Sequence, residues 1–287
     1  MVKLIVLFSL LLMMGVSACN KGLADAEQEP AERIIRDVSY AADSAKRMDV
    51  YLPATRNSSQ TKVLVFIHGG SWSSGDKEEF NDAIAAIRPR LTDYAIFNIN
   101  YRVASGGRNK YPTQVNDVQT ALNFLKNKST EYRINPDKVG LIGASAGGHL
   151  ALLQAYKFNT DGRIKAVVDL FGPTDLLSLY NTHPFPTASR PVLVNFLGAT
   201  PTADMALYGQ ASPINFVTGQ SVPTLILHGE LDIINPISQS IALRNKLQQA
   251  NAKVEMITYT GEGHGWLGNN LLDTYNRAVT FIQQNVQ

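Results

Sequence analysis

A single cysteine in 287 residues rules out an internal disulfide and a cysteine-built metal cluster before anything else is read. One sign of charge is also missing as an excess. Lys and Arg number 26 against 24 Asp and Glu, a formal net charge of +2, which gives no general electrostatic case for nucleic acid as a partner. No block of like charge, low-complexity tract or internal repeat is present, which removes a charged tail and a repeat architecture from consideration. Long hydrophobic runs are scarce. The run from Leu4 to Met14 is too short to span a bilayer comfortably and has the length of a signal-peptide hydrophobic region. What remains, 45% apolar and 17% charged, suits a globular chain with a sizeable core, of one large domain or two small ones.

The apolar run follows a single Lys3 and ends in Val16-Ser17-Ala18-Cys19: a branched residue, two small ones, then the only cysteine. This resembles the bacterial lipobox and implies cleavage before Cys19 with diacylation there; an ordinary secretory signal with an incidental cysteine is the plainer alternative. Two acyl chains at ~0.8 kcal/mol per buried methylene anchor a protein stably where one does not. In such lipoproteins Asp after the cysteine directs retention at the inner membrane. Asn20 therefore implies a cell-envelope protein, lipid-anchored at the outer membrane if the source is Gram-negative. The expected organisation is a signal peptide at 1–18, a polar flexible tether at 19–32 and one folded domain at 33–287.

Within that domain, strands are expected at 34–38 and 47–52 as a hairpin, then at 62–68, 94–100, 138–143, 164–171, 224–228 and 254–259. Helices are expected at 77–91, 115–127, 146–156, 236–249 and 271–284. Such alternation after an antiparallel start indicates an α/β sheet covered on both faces. Residues 172–222 break the rhythm with six prolines, Pro173, Pro184, Pro186, Pro191, Pro201 and Pro213. They read as a helical insertion over the carboxyl edge of the sheet, a lid or pocket wall, with surface decoration as the bland alternative.

Gly143-Ala144-Ser145-Ala146-Gly147 is a G-x-S-x-G pattern between an apolar strand and an apolar helix, the setting in which a sharp elbow exposes a serine hydroxyl. The helix start adds partial positive charge where an oxyanion would form. His68-Gly69-Gly70-Ser71-Trp72 follows an earlier strand. Acyl transfer needs N–H donors aimed at the oxyanion, and Gly70, Ser71 and Ala146 are the candidates; His68 is read as structural. Asp232 closes His228-Gly229-Glu230-Leu231-Asp232, and His264 lies in Gly261-Glu262-Gly263-His264-Gly265-Trp266, where glycines leave it free to swing toward Ser145. The order Ser, Asp, His is that of α/β-hydrolases. Glu230, Asp169 and Asp175 remain rivals for the acid, although Asp175 suits a helix cap better. His149 and His228 are expected to pack or hydrogen-bond near the elbow and His183 to line the pocket. No spacing of His and carboxylates suggests metal ligation.

Together these motifs resemble the esterase branch of the α/β-hydrolase superfamily. They are similar above all to its feruloyl/acetylxylan esterase-like and arylformamidase-like members, relatives of the hormone-sensitive-lipase group. The resemblance runs from about Ile34 to the C-terminus and includes Asp37-Val38-Ser39-Tyr40 and Met48-Asp49-Val50-Tyr51-Leu52-Pro53 of the first hairpin. It implies an α/β-hydrolase fold with an eight-stranded, mostly parallel sheet, and a serine esterase with no cofactor. Ser145, Asp232 and His264 fall on the family's triad positions, and Gly70, Ser71 and Ala146 on its oxyanion positions. Ser71 departs from the Gly or Ala of many relatives, which leaves the backbone donor but bears on pocket width. The expected reaction is hydrolysis of a small-molecule or carbohydrate ester, short-acyl or feruloyl, through an acyl-enzyme. A serine peptidase, an arylformamidase and an interfacial lipase are the enzymatic alternatives. A non-enzymatic lipid-anchored binding module would typically have lost a triad member.

Overall fold

The computed structural model describes residues 30–287; the expected signal peptide at 1–18, the lipidation candidate Cys19 and residues 19–29 of the expected tether lie outside the described residues. Eight strands form one sheet among the described residues. They are β1 (Arg33–Ser39), β2 (Arg47–Leu52), β3 (Lys62–Ile67), β4 (Tyr94–Ile99), β5 (Val139–Ala144), β6 (Ile164–Leu170), β7 (Thr224–Gly229) and β8 (Val254–Tyr259). Their spatial order is β1-β2-β4-β3-β5-β6-β7-β8. The β1–β2 and β2–β4 pairs are antiparallel and every other pair is parallel. This is the expected α/β-hydrolase sheet.

The unbroken apolar runs are explained by burial on both faces. Along β3, Val63, Val65 and Ile67 enter one buried cluster while Leu64 and Phe66 enter another. The first cluster is closed by α2 (Thr113–Asn127), short α3 (Ser129–Tyr132), α4 (Ala146–Tyr156) and α8 (Ser238–Gln249). The second is closed by α1 (Asn81–Ile87) and α9 (Gly268–Asn285). Each fully buried aliphatic or aromatic side chain here contributes roughly 1.5–3 kcal/mol.

The expected helix at 77–91 is not continuous. A 3-10 turn, Lys77–Phe80, precedes α1, and another, Arg88–Arg90, ends it. Asp76 caps the start with its carboxylate on the Glu78 N–H, and Glu79 reaches back to the Asp76 N–H. Pro89, which cannot donate and clashes with the preceding turn, tightens the end. The insertion is helical as expected, with α5 (Leu176–Thr182), α6 (Pro186–Leu197) and α7 (Met205–Ala211). Asp175 is indeed a cap, accepting the Ser178 N–H at 2.9 Å at the start of α5.

At the opposite end of the sheet, the start of the described chain is pinned down. The Thr55 N–H donates to the Pro30 carbonyl at 3.0 Å, Arg56 donates to the Ala31 carbonyl, and Arg88 pairs with Glu32. Since Arg33 is in register with Leu52 at the carboxyl end of antiparallel β2, this corner lies at the amino ends of the parallel strands.

Candidate active site

Between β5 and α4 the chain turns within one residue. Ser145 has φ 53° and ψ −119°, a conformation L-residues avoid and one that only a tightly determined surrounding sustains. Part of that surrounding is the Ser145 N–H bond to the Leu170 carbonyl, 2.8 Å. The rest is close packing: a Cβ on Gly143 would run into the Gly147 carbonyl, and one on Gly147 into the Ile67 carbonyl. The two glycines of the motif are therefore required by contact with neighbouring backbone.

His264 follows β8. Its Nε2 lies 2.9 Å from Ser145 Oγ and its Nδ1 2.6 Å from Asp232 Oδ2. A carboxylate only accepts, so Nδ1 carries the proton and Nε2 is free to accept the serine hydroxyl. The flanking glycines form a tight turn, with the Gly265 N–H on the Gly263 carbonyl. The Phe171 ring packs against the imidazole at 4.6 Å. His264 thus already stands against Ser145, with no swing of its loop needed to reach it.

Asp232 is buried in the loop after β7. Its Oδ1 accepts the N–H groups of Ile234 (2.8 Å) and Asn235 (2.9 Å), and its Oδ2 also lies 3.2 Å from His228 Nε2. Burial pushes this carboxyl up, but bonds from His228, His264 and the Asn235 N–H outweigh it and hold Asp232 well below the usual carboxylate range. The structure therefore joins Ser145, His264 and Asp232 in one chain of hydrogen bonds. Of the rival acids, Glu230 points to solvent and Asp175 serves as a cap.

Asp169 is different in kind. It is fully buried on β6, its Oδ1 accepting the Gly172 N–H at 3.0 Å while its Oδ2 has no partner among the described residues. Burial pushes it up to about 7, with His228 and the Gly172 N–H opposing. The folded protein therefore keeps a proton that the unfolded chain, at 3.8, has already released. That stabilisation is full below the unfolded value and is lost as pH rises through about 7. Asp169→Asn keeps an acceptor and never ionises. It should melt ~2–4 °C or more above wild type at about pH 8, with little difference at about pH 4. An equal difference at both pH values would refute the assignment of a proton to Asp169.

Ser71 and Ala146 line the same cavity as Ser145. Gly70 stands one residue back, its carbonyl taking the N–H groups of Ser73 and Ser74. The N–H groups of Gly70, Ser71 and Ala146 meet no acceptor among the described residues. His68 is buried as a structural residue, stacked on Tyr101 at 4.3 Å with Nδ1 2.9 Å from the Gly69 carbonyl. The cavity, about 410 Å³, is mostly apolar, with walls from Trp72, Leu179, Phe185, Val192, Leu193 and Ile233. The insertion supplies most of that wall, and His183 lines it as expected. Among the described residues no three His, Cys, Asp or Glu side chains gather in a way that could hold a metal ion.

The sequence placed His228 near the elbow, packed or hydrogen-bonded, but did not assign it to Asp232. Its four-residue spacing from Asp232 on a tight strand exit was the available signal. The ring contact of Phe171 with His264 carries no sequence signal.

A protein-family model described as BD-FAE matches residues 48–247. The "probable carboxylic ester hydrolase LipM" of Mycobacterium tuberculosis is 29% identical over 239 residues, covering 76% of this chain and 54% of that protein. The chain spans about half the length of the curated relatives it matches. Among solved structures, a bifunctional GH43-CE from Bacteroides eggerthii superposes with a TM-score of 0.74 at 25% identity, covering 88% of this chain and 38% of the other. A truncated carbohydrate esterase from gut microbiota gives 0.73 at 25% identity, covering 88% and 95%. With the family match spanning more than half the chain and the α/β-hydrolase architecture beneath it, this protein belongs to the BD-FAE family.

Proposed function

We propose that the chain is a serine carboxylic-ester hydrolase working through an acyl-enzyme. The observation that carries this reading is the continuous Ser145–His264–Asp232 hydrogen-bond chain opening into a cavity bordered by unoccupied backbone N–H groups. Ser145 attacks the ester carbonyl as His264 takes its proton. Asp232 fixes the imidazole tautomer and stabilises the imidazolium. The Ser71 and Ala146 N–H groups, with Gly70 behind them, receive the oxyanion, each donor worth ~2.7–4 kcal/mol of barrier. His264 then protonates the leaving alcohol, and water repeats the sequence on the acyl-enzyme.

The apolar cavity receives the acyl group, and the likeness to a carbohydrate esterase supports a sugar as the alcohol. Each methylene buried in such a cavity is worth ~0.8 kcal/mol, so butyryl esters should exceed acetyl esters about tenfold in kcat/KM. Acetyl, butyryl, decanoyl and feruloyl esters of one chromogenic alcohol measure this directly. Equal kcat/KM for acetyl and butyryl would remove the cavity from the acyl site, and no turnover of any ester would remove the hydrolase.

A further inference from the structure

The loop that carries the Ser71 donor is strained. Ser71 and Trp72 both hold left-handed backbone, φ 52° and 57°, which neither side chain favours. Such backbone persists only where surrounding contacts over-determine it. Beside backbone bonds from Ser73 and Ser74 to the Gly70 carbonyl and from Ala104 to the Trp72 carbonyl, the side-chain contacts come from the Trp72 indole. It stacks on Phe196 of α6, ring centroids 4.2 Å apart and planes 10° from parallel, and meets the His149 ring edge-on at 5.1 Å. Its Nε1–H donates to His149 Nδ1 at 3.1 Å.

An indole nitrogen can only donate, so His149 Nδ1 must be unprotonated and its proton must sit on Nε2. Nε2 faces the Ala211 carbonyl at the end of α7, 2.7 Å away, which can only accept. Both ring nitrogens are thereby assigned. Burial, holding this fully enclosed imidazole down at about 4, keeps it neutral wherever an ester hydrolase of this type could work. His149 stands one turn beyond Ser145 on α4, with its N–H on the Ser145 carbonyl at 3.1 Å. One side chain therefore joins the nucleophile helix, the loop bearing Ser71 and the insertion.

We propose that His149 is a positioning residue for the oxyanion donors, holding Ser71 in register with Ser145 through Trp72 and tying that register to the insertion. It touches neither substrate nor reacting atoms. Its contribution goes through the indole. Trp72 and α6 residue Leu193 also wall the cavity, so an acyl group seated there bears on the same packing that aims Ser71. Filling of the cavity is then felt in turnover as well as in binding. This inference rests on the hydrolase reading above and deepens it.

The test is a double-mutant cycle on the full chain with His149→Phe, Trp72→Phe and the pair, each checked for folding by its melting temperature. A butyrate ester is used for kinetics. An alkyl boronic acid, which forms a tetrahedral adduct on the serine with an oxygen directed at the donors, is the probe for their alignment. Each single variant should lose about 10- to 100-fold in kcat with KM within about threefold of wild type, and boronate affinity should fall with kcat. Trp72→Phe removes the N–H and one ring while leaving an aromatic face toward Phe196, so if His149→Phe folds poorly this variant alone still tests the proposal through kcat and boronate affinity. In the pair both ends of the Trp72–His149 bond are gone, so the double variant should be no slower than the slower single. The proposal fails if a folded single variant keeps wild-type kcat, if the two losses multiply, or if kcat falls with boronate affinity unchanged. Wild-type turnover in the same assay separates these failures from failure of the hydrolase reading itself.

Discussion

Ser145→Ala should lower kcat/KM for a butyrate ester by about 10⁴-fold or more and abolish covalent labelling by a fluorophosphonate. The Oγ removed is the atom 2.9 Å from His264 Nε2, and without it no acyl-enzyme can form. What is left is the electrostatic pull of the donors on a carbonyl attacked by water, a residue of activity seen in triad enzymes stripped of their nucleophile. Folding should survive, because alanine tolerates the φ of 53° no worse than serine and the Leu170 carbonyl still receives its backbone N–H. Intact-mass measurement after probe treatment gives the answer in one spectrum. A folded alanine variant that still hydrolyses esters within tenfold of wild type would place the nucleophile elsewhere.

The second large effect belongs to Asp232→Asn, expected at about 10⁴-fold in kcat. An asparagine can leave its oxygen on the Ile234 and Asn235 N–H groups, but its NH₂ then takes the Oδ2 position. That position now faces His264 Nδ1 at 2.6 Å and His228 Nε2 at 3.2 Å. Donor meets donor. His264 relieves the conflict by moving its proton to Nε2, which then can no longer accept from Ser145. The loss should lie in kcat, with KM nearly unchanged and the melting temperature lowered, since a buried NH₂ then stands against two imidazole N–H groups while His228 Nε2–H keeps the Asn235 carbonyl as its acceptor. If Asp232→Asn retained more than a tenth of wild-type kcat, the orienting role would pass to another carboxylate. Asp169, buried on the neighbouring strand, would be the first to examine.

The hairpin, the parallel strands and the elbow were legible because each rests on a local signal. An apolar run such as Val63 to Ile67 needs burial on both faces, and Gly143 and Gly147 flank a serine where nothing larger than hydrogen fits. Asp232 and His264 were readable from their place after the last strands. The helix at 77–91 was over-extended although Pro89, its breaker, stood in the sequence: a turn tightened into 3-10 geometry keeps much the same apolar spacing as an α-helix. The contact of Phe171 with His264 was not legible, because Phe171 reaches it from a different strand end. The bond from Trp72 to His149 likewise depends on how two loops and a helix meet, and no spacing encodes that.

The corner where Pro30, Ala31 and Glu32 are fastened has a bearing on how this molecule would stand. It lies at the amino ends of the parallel strands, and Ser145 lies at their carboxyl ends. A support that gripped the chain directly at this corner would leave the catalytic mouth facing the surroundings, with the protein's own thickness between support and reaction, whereas a flexible lead would relax that orientation. Such a posture suits an enzyme that trims soluble or extended material drifting past. One that grazes on the layer it is fixed to would need to be mounted the other way up.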